Sequence, residues 1–354
     1  MLAMIAWVLW ISISSLLTME PKASFTTALT LGSMAFGAFL IGKRLPIRKP
    51  ILNLSFGVTL SILSLVAISK FDFMGKASSF PFFSSTNLMS AALACSFLLL
   101  IPQILGKVKL AQRGLAIACA VVLLAAIFLL KSRGAWLSLL GLLPLLPLLL
   151  SKQKKFKIGW AVFLVVALVA AFLFRPKNLT EQPIQSKSAL TELQSITDLD
   201  QNFSNRERLM RWKIAWRIAS SSPVVGIGSG NYAKRFKYYL ESPKEVEQIS
   251  YWHGWKGGAH SDTLNLLAET GFIGLALFLA FLVLCFFQGN ALHSPSTNAR
   301  LHSILLFLAI FSFLIHGMFE DLFSSPLLVA LFFGMLGQIQ GLQNQEKEKP
   351  QSSF

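Results

Sequence analysis

The chain has 354 residues, of which 54% are hydrophobic and only 14% charged, and its mean hydropathy is +0.61. A soluble domain of this length does not carry so much apolar surface, so the composition excludes one and calls for lipid as solvent. The formal net charge of +16 is not a nucleic-acid footprint, because Lys and Arg fall in short clusters between hydrophobic runs, where they set orientation.

In chain order, ten apolar stretches are expected to form helices, at roughly 2–18, 24–42, 51–69, 87–106, 114–131, 134–151, 157–175, 263–288, 301–317 and 323–341. They approach the roughly 17–25 residues a helix needs to cross about 30 Å of hydrocarbon. The first lacks the basic flank of a signal peptide and is followed at once by further spans, so it reads as a retained helix. Cys95, Cys119 and Cys285 lie inside apolar spans and read as small core residues, with no support for a disulfide framework or a zinc site.

Alternate threading puts the basic clusters at Lys43–Pro50, Gly106–Arg113 and Ser151–Lys157 on one side, which the positive-inside rule makes cytoplasmic, together with both termini. The connections near Glu20, Asp72 and Glu320 fall outside. The predicted fold class is an all-α polytopic membrane protein with about ten transmembrane helices and one large external loop containing amphipathic helices. Its segments are 1–175 (transmembrane helices 1–7), 176–262 (the loop), 263–341 (helices 8–10) and 342–354 (a cytoplasmic tail).

Within the loop, 176–201 is polar and reads as a linker or lid. Asp198 and Asp200 have the spacing of a metal-binding pair, but such pairs are common by chance and have no His nearby, so no metal is expected. Between Asn205 and Ser220, Leu209, Trp212 and Trp216 recur at helical spacing, alongside Arg206, Arg208, Arg211, Lys213 and Arg217. Two readings stay open: a helix anchored at the headgroups by Trp and Arg, or a helix whose guanidinium groups grip a diphosphate. The run Ser222–Asn231, with Gly226, Gly228 and Gly230, is most simply a tight turn, and a backbone nest for an anion is the alternative. His260 immediately precedes a helix N-terminus, which is expected to lower its pKa and favour the neutral imidazole, a competent base. Taken alone, such a His is more often structural.

His260-Ser261, nine residues, then Gly271-Phe-Ile-Gly274 resembles the H[N/S/Q]-x9-G-x-x-G signature of the bacterial O-antigen ligase (WaaL) family. Upstream, Arg208-Leu-Met-Arg-Trp212 followed by Pro223, Gly226, Gly228 and Asn231 resembles a region of the superfamily that also contains the Wzy O-antigen polymerases, with Tyr232 where Phe is usual. Lys131-Ser-Arg-Gly-Ala-Trp136 is similar to its S-R-G-A element, Asn87 to its loop-to-helix Asn, and His316 with Glu320 and Asp321 to a recurrent His and acidic pair. The expected crossings are fewer than members of the family usually have.

The resemblance implies a GT-C-like, metal-independent and cofactor-independent glycosyltransferase of lipopolysaccharide biosynthesis in the bacterial inner membrane. It would move a glycan from undecaprenyl diphosphate to lipid A-core or another acceptor sugar on the periplasmic face, with inversion, and would contact membrane lipids but no nucleic acid. On this reading His260 is the base, while Arg133 and Arg208 hold the departing diphosphate. Arg211, Arg206, Asn87, Glu269, His316 and Gly228 are candidates for substrate binding. The rivals are a Wzy-type polymerase, which would share Arg133 and Arg208, and, from other classes, a transporter or flippase or a receptor. Transport fits poorly with polar groups gathered at one membrane face and no internal repeat.

Overall fold

The structure is a computed structural model that describes residues 1–44, 50–69, 85–130, 132–173, 203–243, 245–246, 257–287 and 297–347. The described residues form helices and turns, with no strand among them. We label the helices α1 (Leu2–Leu16), α2 (Pro21–Arg44), α3 (Pro50–Ser69), α4 (Thr86–Leu105), α5 (Leu110–Leu129), α6 (Arg133–Leu150), α7 (Lys154–Leu173), α8 (Phe203–Ser221), α9 (Asp262–Phe287), α10 (Thr297–Gly317) and α11 (Pro326–Lys347). Helix α6 passes through a 3-10 turn at Leu143–Leu145, where Pro144 removes a backbone donor from the ladder.

Six described helices, α2, α4, α5, α6, α9 and the Arg300–Gly317 part of α10, are long and apolar enough to cross a membrane. The expected count of ten is not reached on that measure. Helix α1, at 15 residues, rises only about 22 Å, and the apolar part of α11, Pro326–Gly341, is also short of a full span. The helices α3 and α7 run 20 residues each. Large apolar side chains face outward along many helices, among them Leu29, Ile41, Val121, Phe128, Val162 and Phe163, as lipid contact demands.

At the centre lies α4, buried along most of its length and packed by α3, α5 and α10. The most extensive pairing is α2 with α11, and small residues make it possible: a Cβ at Gly42 would strike the carbonyl of Gly334, and one at Gly337 or Gly341 would strike the backbone of Phe39 or Lys43. A buried Ser312–Ser138 hydrogen bond of 2.9 Å ties α10 to α6, where lipid offers a hydroxyl no other partner. Cys95, Cys119 and Cys285 are buried thiols.

The ends of these helices sort by chemistry. Glu20, the first turns of α4, α6 and α9 and the last turn of α10 meet at one end of the bundle, linked by Asn87–Glu320, Arg133–Asn205, Arg208–Phe319 and Lys234–Glu20 contacts. At the other end Arg113 donates to the Gly106 carbonyl and Arg300 to that of Leu149.

Candidate active site at the polar end of the bundle

Helix α8 lies across the polar end, and its sequence does not present the face that an amphipathic reading expects. Leu209 and Trp216 are exposed, whereas Glu207, Arg211, Ile214, Ala215 and Ile218 are buried. The physical reason is the medium: a helix beside lipid can turn apolar side chains outward, while charges survive only where they meet one another or a polar site. Accordingly Glu207, Arg211 and Trp212 reach the segment that carries His260, and Arg208, on the same face, reaches Phe319 and Glu320. Arg211 donates through Nε to Glu207 (3.0 Å) and through Nη1 to the Gly258 carbonyl (3.2 Å), and the Trp212 indole donates to the His260 carbonyl (3.2 Å).

His260 is held in an unusual backbone conformation, with φ at +51°. A non-glycine residue in this left-handed region is disfavoured unless its surroundings enforce it. Asp321 supplies the enforcement: Oδ2 accepts from the His260 amide at 3.0 Å and Oδ1 from the Ser261 amide at 3.2 Å. Its neighbour Glu320 takes the ring, with Oε1 3.0 Å from His260 Nδ1, while Oε2 accepts from the Asn87 amide at 2.6 Å and lies 4.0 Å from Arg208 Nη2. Leu322 and Phe323 anchor the two acidic residues in the bundle. Leu322 is fully buried, and the Phe323 ring packs on Phe278, Phe313, Phe332 and Phe333, while its amide donates to Asp262.

The electrostatics overturn one expectation. A helix N-terminus lowers the pKa of a neighbouring histidine, but that of His260 is raised. Burial alone would pull it down, and the hydrogen bond to Glu320, with the charges of Glu320 and Asp321, more than offsets this. Burial likewise pushes Glu320 up, but His260, Arg208 and His316 outweigh it and bring that carboxyl down to about 2. Asp321 is raised, by burial and then by the Glu320 charge. His260, Glu320 and Asp321 approach within 4.8 Å, close enough to share a cation, yet each carboxylate oxygen of Glu320 and Asp321 already has a protein donor.

Beside this cluster is a pocket lined by Asn87, Arg133, Gly134, Ser204, Arg208, His316, Phe319 and Glu320, and it shares Arg133, Gly134, Arg208 and Phe319 with a more apolar pocket walled by Leu137, Leu209 and Trp212. Arg133 opens α6 and lies near Asn205 (3.4 Å), and Arg208 is steadied by Ser204 (2.7 Å) and the Phe319 carbonyl (3.0 Å). The His316 ring packs against Gly134, where a Cβ would come within 2.7 Å of it.

The other sequence candidates lie elsewhere. Arg206 is exposed. Arg211 is fully buried in its pairing with Glu207. The Glu269 side chain accepts from the Tyr232 amide (3.1 Å), and Gly228 packs on Thr18 and Ser24 and donates its amide to the Glu269 carbonyl, so both belong to the joint between the glycine turn and α9. Lys131, Asp198, Asp200 and the lid segment 176–201 lie outside the described residues. Sequence reasoning passes over Glu207 and gives Glu320 and Asp321 no separate role. The available signal is two adjacent acids at the end of an apolar span that threading places on the same side as His260.

Fold and site together define a polytopic helical membrane protein with arginines and a carboxylate-paired histidine at one end of its bundle. Residues 118–279 match the family model described as O-antigen ligase (Wzy_C). The match covers somewhat under half of the chain and includes Arg133, Arg208, His260, Gly271 and Gly274. No curated protein matches the chain.

Proposed function

We propose that the protein is a membrane glycosyltransferase of the O-antigen ligase kind, which moves a glycan from undecaprenyl diphosphate to an acceptor sugar hydroxyl at the periplasmic face of the bacterial inner membrane. The observation that carries this reading is the convergence of Arg133 and Arg208, from separate helices, on the shared wall of two pockets, one polar beside Glu320 and one apolar beside Leu137, Leu209 and Trp212. Such a pair suits an amphiphile with an anionic headgroup and a hydrocarbon tail.

In the proposed reaction the acceptor oxygen attacks the anomeric carbon, and the bond from that carbon to the diphosphate oxygen breaks with its electron pair staying on the diphosphate. The hydroxyl proton passes to Nε2 of His260. Arg133 and Arg208 stabilise the charge growing on the leaving group. Attack opposite to departure inverts the anomeric carbon. Asn87 and His316 line the same pocket.

The test is deletion of the gene in its host and complementation with wild type or His260→Ala, comparing surface polysaccharide with undecaprenyl-linked glycan. Accumulated long lipid-linked glycan with loss of the surface ladder, restored by wild type alone, is the expected result. Attachment of single repeats would replace ligation by Wzy-type polymerisation, and an unchanged profile would overturn both.

A further inference from the structure

We propose that Glu320 is the positioning residue of His260, holding its ring with Nδ1 toward the carboxylate so that Nε2 is the proton acceptor, with Asn87 and Asp321 fixing this pair from either side. This rests on the reading of His260 as the base, but concerns a residue with no assigned role in it.

Donor and acceptor capacity fixes the tautomer of His260. An ionised carboxylate accepts and cannot donate, so the short Glu320–His260 contact of 3.0 Å requires a proton on Nδ1. The neutral ring then has its lone pair on Nε2, the tautomer a base needs. A carboxylate aimed at the inner nitrogen of a catalytic histidine serves this purpose in unrelated hydrolases, by fixing ring orientation and stabilising the cation that forms. Glu320 could swing away if only the imidazole held it, but Asn87, in the first turn of α4, donates to its other oxygen at 2.6 Å. The Asp321 bonds to two successive amides prevent the left-handed backbone at His260 from relaxing and withdrawing the ring.

The remaining charges decide how firmly the ring holds a second proton. From α8, Glu207 Oε1 lies 3.8 Å from Nε2, with Arg211 bonded to that same oxygen and Arg208 near Glu320. After α10 stand Glu320 and Asp321, the latter 4.0 Å from Nδ1, and at the head of α9 is Asp262. Carboxylates therefore face both ring nitrogens. Removing the Glu320 charge takes away the closest of them.

The test uses the full-length protein in detergent and reads the His260 ring without any glycan. Diethylpyrocarbonate acylates only the neutral imidazole, so labelling of His260 followed by mass spectrometry across pH gives its midpoint. In wild type the midpoint is expected above 6.5, the ordinary value. In Glu320→Gln it is expected to fall by about one pH unit or more, a roughly tenfold change in proton affinity, with Glu320→Asp restoring part of the shift. A wild-type midpoint below the ordinary value, which needs no variant to fold, would overturn the proposal. So would equal midpoints in wild type and a folded Glu320→Gln protein. A shifted midpoint in a protein that transfers no glycan would leave the positioning intact and remove the proposed reaction.

Discussion

The amide of Gly228 donates to the carbonyl of Glu269 at 2.8 Å, across more than the width of a signature motif, and that bond exists because α9 breaks two residues later. Gly271 has φ +69° and ψ −176°, a conformation that is essentially glycine's own. Three carbonyls beside the break accept from outside α9: Ala268 from the Ile227 amide, Glu269 from that of Gly228 and Thr270 from the Trp10 indole. The Phe272 amide in turn donates to the Pro223 carbonyl. The two glycine motifs are thus the two halves of one joint, in a setting where an unmet backbone group is costly.

Gly271→Ala is therefore expected to unfold or badly destabilise the protein. The backbone strain alone costs about 1–3 kcal/mol, and the added methyl would strike the Val224 carbonyl. Thermal unfolding of the purified protein, followed by tryptophan fluorescence, should show a clear drop in Tm. An unchanged Tm would contradict the joint.

Arg208→Lys and Arg133→Lys should preserve folding and reduce glycan transfer by on the order of a hundredfold or more each, as loss of a group that stabilises leaving-group charge does. Lys keeps the charge but not the planar fork that grips a diphosphate. Transfer rates at saturating donor, with Tm as a control, check this.

Arg211→Met is expected to act differently from its neighbour. It strips the buried Glu207 carboxylate of its bonded guanidinium and loosens the Gly258 carbonyl, so a loss of about 3–5 kcal/mol is expected. Replacing both partners, as in Glu207→Gln with Arg211→Met, should recover much of it. A stable single variant with normal donor binding would show that Arg211 is not a structural cation.

If His260 is the base of the proposed transfer, the sign of its pKa shift sets the pH profile. A base must be neutral, so activity should rise with pH through a pKa above 6.5. Stability runs the other way: a raised histidine pKa contributes fully below the unfolded value, and this contribution is lost as pH climbs through the folded one. Transfer should therefore improve over a range in which this contribution to Tm declines.

Glu245 offers an independent check outside the bundle. Hydrogen bonding from Arg217 outweighs burial and lowers its carboxyl to about 2, with Lys213 adding a further bond. Its contribution is present above the ordinary value of 4.5 and fades as pH falls toward 2. Wild type should lose more Tm than Glu245→Gln between pH 6 and about pH 3, measured by scanning calorimetry.

Composition and hydrophobic run length alone determined that this is a helical membrane protein, because lipid admits few other ways of satisfying a backbone. The spacing of His260 to Gly271 and of Arg208 to Trp212 carried the resemblance to O-antigen ligases, and residues 118–279 match the model of that family, since those patterns are local in the chain. Tertiary structure decided what the spacing could not. Whether Arg211 faces substrate or turns to Glu207 and the Gly258 carbonyl, and whether Glu269 lies in the pocket or in the glycine joint, depends on Gly258, 47 residues from Arg211, and Tyr232, 37 residues from Glu269. The direction of the His260 shift is hidden from the sequence for the same reason. A helix terminus is visible in the chain, but Glu320 and Asp321, 60 and 61 residues further on, reach the ring only when α10 ends beside the start of α9, and at 3–4 Å the Glu320 hydrogen bond and the two charges outweigh burial and raise the pKa.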